Sequence, residues 1–152
     1  MIIYVEDLLR EINILNWYRG EAVKNGDASA VFVQSGKDTQ DVMMFYIRGA
    51  VNDVLLLANA NRVKFVCEPT NEALVFTIEP VRAGREYMKQ LLKDAVRQYM
   101  VCLVRFLWMK EVRPEWADDS MLPMWRQRVM DAMSAITAAG NKVRRRAATM
   151  GI

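Results

Sequence analysis

Histidine is absent from all 152 residues. Its absence excludes Ser-His-Asp and Cys-His catalytic arrangements and every histidine-bound metal centre. Cysteine is nearly absent too, with only Cys67 and Cys102. Two thiols on separate elements do not make a zinc site, and one pair does not make a disulfide framework. With no secretory signal in the opening MIIYVEDLLREI, they read as reduced core thiols of a cytosolic chain. The seven glycines are scattered, and neither GxxxxGK[ST] nor GxGxxG occurs; Gly36-Lys37 lacks the rest of a phosphate loop. A membrane-spanning run is missing as well. The apolar stretch QYMVCLVRFLWMKE, residues 98–111, is uninterrupted only from Tyr99 to Val104. A span needs about 20 residues, and Arg105, Lys110 and Glu111 would each cost about 2.5–3.5 kcal/mol at a bilayer centre. A marked excess of one charge sign is also lacking: the net charge is +3, too mild to argue for nucleic acid by itself.

What is present suits one globular domain, with 53% hydrophobic and 26% charged residues. Val5, Leu8, Leu9, Ile12 and Leu15 recur at helical spacing and predict a first helix from Val5 to about Lys24, broken by Asn25-Gly26-Asp27. Residues 25–38 form a long connection in which Val31, Phe32 and Val33 make a short strand or an anchor. Loops of that length are uncommon without a purpose such as docking on a neighbour, the alternative being an ordinary surface loop with one buried aromatic. A second helix runs from Asp38 or Thr39 to Ala60 on the stripe Met43, Ile47, Ala50, Val54, Leu57, widened by Phe45, Val51 and Leu55. Gly49 in it marks either close packing or a tolerated defect. Val63–Cys67 and Leu74–Ile78 flank a turn-rich spacer, EPTNE, and read as a β-hairpin that must lie on helices or on another chain. A third helix spans about Arg85 to Val112, apolar nearly all round at its end through Met100, Cys102, Val104, Trp108 and Met109, and makes the central strut. After a turn at RPEWADDS, a fourth helix buries Leu122, Trp125, Val129, Ala132, Met133 and Ile136, and Gly140-Asn141 are expected to stop it. The expected fold is mainly α: a four-helix antiparallel bundle-like domain over 1–140, with a β-hairpin inserted between helices two and three, and a basic C-terminal tail over 141–152.

Candidate binding residues follow from what such a core does not absorb. Lys142, Arg144, Arg145 and Arg146 form the sharpest charge cluster, suited to phosphate or to an acidic partner surface, or simply to a solvated helix end. No aromatic interleaves them, which weakens a single-strand nucleic-acid reading. Trp17, with Tyr18 beside it, and Trp116 in the turn are of the residue types enriched at interface cores. Phe32 with its valines, and Pro69 at the hairpin tip, complete the set of contacts expected for a neighbour. The acidic pairs Glu6-Asp7 and Asp118-Asp119 stand at helix starts, where negative charge stabilises the macrodipole, so no catalytic, metal or cofactor-binding residue is assigned.

The element order resembles that of the head–tail connector (adaptor) proteins of tailed bacteriophages and prophages. In that family a helix and a hairpin-like insertion precede a long helix, and here KDAVRQYMVCLVRFLWMKE stands at that place, with Lys93, Ala95, Leu103, Leu107 and Glu111 at the matching positions. The resemblance covers about residues 38–140. It departs in two ways: Trp108 replaces a usual tyrosine, and the fourth helix with its arginines goes beyond the simplest members. The resemblance implies a non-enzymatic virion protein without cofactors, made in the host bacterial cytoplasm. It would form a homo-oligomeric ring in the neck, between the portal protein and the tail proteins, with non-specific DNA contact and no membrane. A second expectation, from a different class, is a small helical DNA-binding or regulatory protein using the basic tail. Helix four offers Arg126, Gln127 and Arg128 for that, although Trp116, Asp118 and Asp119 make its approach acidic and bulky.

Overall fold

The computed structural model describes residues 1–24, 40–79, 81 and 86–150, with the helical backbone alone over 16–24 and 137–150. The chain is mainly helical, with one small antiparallel sheet. In order it forms β1 (Ile2–Tyr4), α1 (Val5–Lys24), α2 (Gln40–Ala60), β2 (Lys64–Pro69), β3 (Ala73–Glu79), α3 (Glu86–Val112), a 3-10 turn (Pro114–Trp116) and α4 (Leu122–Met150). The caps expected at Asp38 or Thr39 and the anchor at Val31, Phe32 and Val33 lie outside the described residues.

Among the described residues three strands stand where the sequence pattern shows a two-stranded hairpin. The hairpin is present, and β1 adds to it in the order β1-β3-β2, both pairings antiparallel. The nitrogen and the carbonyl of Met1 each bond Phe76 at 2.8 Å, and the Val5 amide donates to Glu72 at 2.9 Å, so β1 ends by turning directly into α1. Strand alternation sends Ile3, Leu74, Phe76, Ile78 and Phe65 into the core. The Phe65 and Phe76 rings stack with centroids 5.0 Å apart. Ile2, Tyr4 and Val66 face outward and remain exposed.

The turn chemistry is local and accounts for both ends of the hairpin. α2 closes in a Schellman motif: the Val63 amide donates to the Ala58 carbonyl at 3.0 Å and the Arg62 amide to Asn59 at 3.1 Å. Arg62 sits at the left-handed position, φ 57°. At the other end the Thr70 hydroxyl accepts from the Ala73 amide at 3.0 Å, which confines the loop to Asn71 and Glu72. Pro69 belongs to the strand and pairs with Leu74. It occupies a position whose amide would point away from β3, so the missing N–H costs the ladder nothing.

α3 is the strut on which the rest is built, since it packs against α1, α2 and α4 and touches β1. Its buried stripe is Leu92, Val96, Met100 and Val104 at intervals of one turn, joined by Ala95, Tyr99, Val101, Trp108 and Met109. The apolar C-terminal half is not wrapped on every side, because Leu103, Phe106 and Leu107 are only half-buried. The α2 stripe is buried at Met43, Ile47, Ala50, Val54 and Leu57, whereas Phe45, read as widening it, is 74% exposed. Its position three residues from Val42 and four from Gly49 puts it on the opposite face.

Gly49 itself is exposed, and a β-carbon built there meets nothing within 4 Å. The close-packing reading therefore fails. Gly49→Ala should raise stability by about 0.5–1 kcal/mol through helix propensity, measured as an increased urea midpoint with an unchanged m-value.

α4 contributes Val129, Met133 and Ile136 to the core, with Leu122, Trp125 and Ala132 partly buried. The stop expected at Gly140-Asn141 does not occur, for the helix continues to Met150. A glycine inside a helix costs only about 1 kcal/mol, and the alanines and arginines after it favour helix. The basic segment is therefore part of α4 rather than a tail beyond it.

Candidate partner interface

Polar ties lock the helices at two levels. The Glu11 carboxylate on α1 accepts from Arg97 and, at 3.2 Å, from Gln98 on α3. The Tyr99 hydroxyl donates to Asp53 on α2, and burial together with that bond pushes its ionisation well above the ordinary range. Farther along, the Ser134 hydroxyl of α4 donates to the Asn61 side chain at 3.1 Å, which in turn donates to the Leu57 carbonyl at 2.8 Å. Each of these groups is used in holding two elements together, which is a structural role. Among the described residues no group of three or more histidine, cysteine or carboxylate side chains could hold a metal, and no helix is long and apolar enough to cross a membrane.

The two cysteines are separate, free and half-buried. Burial and then the neighbouring Glu68 raise the Cys67 thiol to about 11. Burial also raises Cys102, with Asp118 and Glu11 adding to it and Arg105 opposing. Both are poor nucleophiles. Iodoacetamide at pH 8 should label Cys67 on the order of a hundredfold more slowly in the folded chain than in urea, read by mass spectrometry.

The expected contact residues are dispersed. Trp116 is 6% exposed, which contradicts its place in an interface. The 3-10 turn, closed by its amide on the Arg113 carbonyl at 2.8 Å, swings the indole inward under α3, and the Arg113 guanidinium lies 5.6 Å from the ring centroid. Pro69 is exposed beside the hairpin tip, as a contact residue requires. Trp17 and Tyr18 are on α1, and Lys142, Arg144, Arg145 and Arg146 on α4, with side chains outside those described. Val31, Phe32 and Val33 are outside the described residues altogether.

Two exposed apolar surfaces escaped the sequence reading. One is the outer face of the sheet, where Ile2 and Tyr4 on β1 stand across from Val75 and Ala73 on β3, with Val66 on β2. The other is the outer stripe of α2, formed by Val42, Phe45 and Leu56 around Gly49. The alternation Ile2-Ile3-Tyr4 carries a weak strand signal. Only the pairing with β3, some 70 residues away, makes it a strand.

The chain was compared with protein-family models, with curated proteins and with solved structures. None of the three finds a match.

Proposed function

We propose that this chain is a structural virion protein, a head–tail connector subunit that assembles into a ring at the portal–tail junction of a tailed phage. The observation that supports the reading is the β2–β3 hairpin inserted between α2 and a 27-residue α3 that packs against α1, α2 and α4. That order resembles the one expected of the connector family. A helical strut with an exposed hairpin tip is a suitable ring subunit, because a ring needs two different patches on each copy. The hairpin tip around Pro69 would supply one. The basic end of α4 supplies the other, docking on the portal or facing DNA. No step of this role requires a catalytic group, a metal or a cofactor.

The test is genetic and structural together. Disrupting the coding sequence in its phage should leave heads and tails made but unjoined, and purified wild-type virions should contain the protein in ring-like copy number by mass spectrometry. Intact infectious virions made without the protein would refute the reading.

A further inference from the structure

The outer edge of β2 is self-complementary. β2 lies at the end of the sheet order, and no described strand pairs with its far side. The parity of its ladder is set by the Thr70 amide donating to the Ala73 carbonyl at 2.9 Å. Counting back by twos along the register, Glu68, Val66 and Lys64 bond β3. Phe65 and Cys67 then aim their amides and carbonyls at the open edge, and Pro69, with no N–H, ends the row of donors. A second β2 laid antiparallel on this edge with its centre at Val66 makes two mutually bonded pairs, Phe65 with Cys67 and Cys67 with Phe65. On the outer face the same register sets Val66 against Val66, and sets Lys64 against Glu68 twice. Lys64 already holds Glu79 at 2.9 Å across β3, with both side chains largely exposed, and Val66 is 48% exposed. The second strand would extend the row to Glu79, Lys64 and the partner's acid at position 68, and would cover the valine.

We propose that two copies of this chain associate through their β2 edges about a two-fold axis at Val66. The charge pattern selects this register, because opposite charges directly across an antiparallel pair attract and like charges repel. The contact is isologous and closes at two, which protects an edge that would otherwise template open-ended strand addition. The proposal does not rest on the connector reading, since it concerns the isolated chain in solution.

The experiment is sedimentation of the full chain and of two charge variants, Lys64→Glu and Glu68→Lys, with circular dichroism confirming that each folds. Wild type should show a concentration-dependent dimer. Each variant alone places like charges across both positions and should associate at least about tenfold more weakly. Mixed in equal amounts, the two variants restore both attractive pairs, and the dimer should return. In a Cys67→Ser, Cys102→Ala background, Val66→Cys should oxidise to a disulfide-linked dimer, because directly opposed residues at the axis are within bridging distance. A wild type that stays monomeric at several hundred micromolar would overturn the proposal, as would variants that dimerise unchanged or a mixture that fails to associate. Lys64, Glu68 and Pro69 would then be edge guards that keep the strand solitary.

Discussion

Replacing Trp116 with alanine is expected to destabilise the folded subunit by about 3–5 kcal/mol, the usual cost of deleting a buried indole. Trp116 is 6% exposed beneath α3, in the turn that reverses the chain into α4. Its loss opens a cavity between the turn and α3 and removes the ring over which the Arg113 guanidinium lies. Urea denaturation of the isolated protein should show the full loss at unchanged m-value. Pro69→Ala, by contrast, changes an exposed residue at a strand position that donates nothing to the ladder, so it should stay within about 0.5 kcal/mol of wild type. If Trp116→Ala left subunit stability intact and weakened only assembly, the indole would be an interface anchor after all.

The second large effect is expected at Tyr99. Tyr99→Phe removes the hydroxyl that donates to Asp53 and should cost about 1–3 kcal/mol, because the part-buried carboxylate loses that donor. The substitution should also change the alkaline response. In the fold, burial first, and then the bond to Asp53 and that group's charge, raise the ionisation of Tyr99 above its ordinary value of about 10, with Arg126 opposing. The unfolded chain releases this proton at about pH 10 while the folded chain keeps it. The stabilisation is therefore complete below pH 10 and is lost as pH rises toward the folded value. Wild type should lose stability more steeply than Tyr99→Phe above pH 10, the raised Cys67 thiol adding the same slope to both. Parallel curves for the two proteins would show that the hydroxyl is not ionisation-coupled to folding.

Much of the framework was legible because it depends on local periodicity. The 3.6-residue recurrence of Val5, Leu8 and Ile12, and of Met43, Ile47, Val54 and Leu57, places α1 and α2 within a residue or two, and the β-branched runs around EPTNE give the hairpin. What was not legible depends on partners far away in sequence. β1 is three residues long and exists because β3 offers an edge and α1 needs an entry. Phe45 looks like a core residue by type, yet helical geometry turns it outward. Trp116 looks too bulky to bury from a turn, but a 3-10 turn redirects it inward. Gly140-Asn141 carries the residue types of a helix stop, yet no proline follows to enforce one, and α4 runs through it. Among the residues expected to make contacts, Trp116 is buried, whereas the exposed apolar side chains include Ile2, Tyr4, Val66, Tyr87, Leu91 and the outer stripe of α2.

The most direct test of the connector assignment is the mass of the protein in solution, measured by sedimentation across concentration with and without the purified portal encoded beside it. The protein should be a small species alone and should join the portal as a ring-sized complex, and truncation before Lys142 should weaken that complex. A protein that ignores the portal and instead binds duplex DNA with steep salt dependence would contradict the assignment and make the basic end of α4 a DNA-binding element.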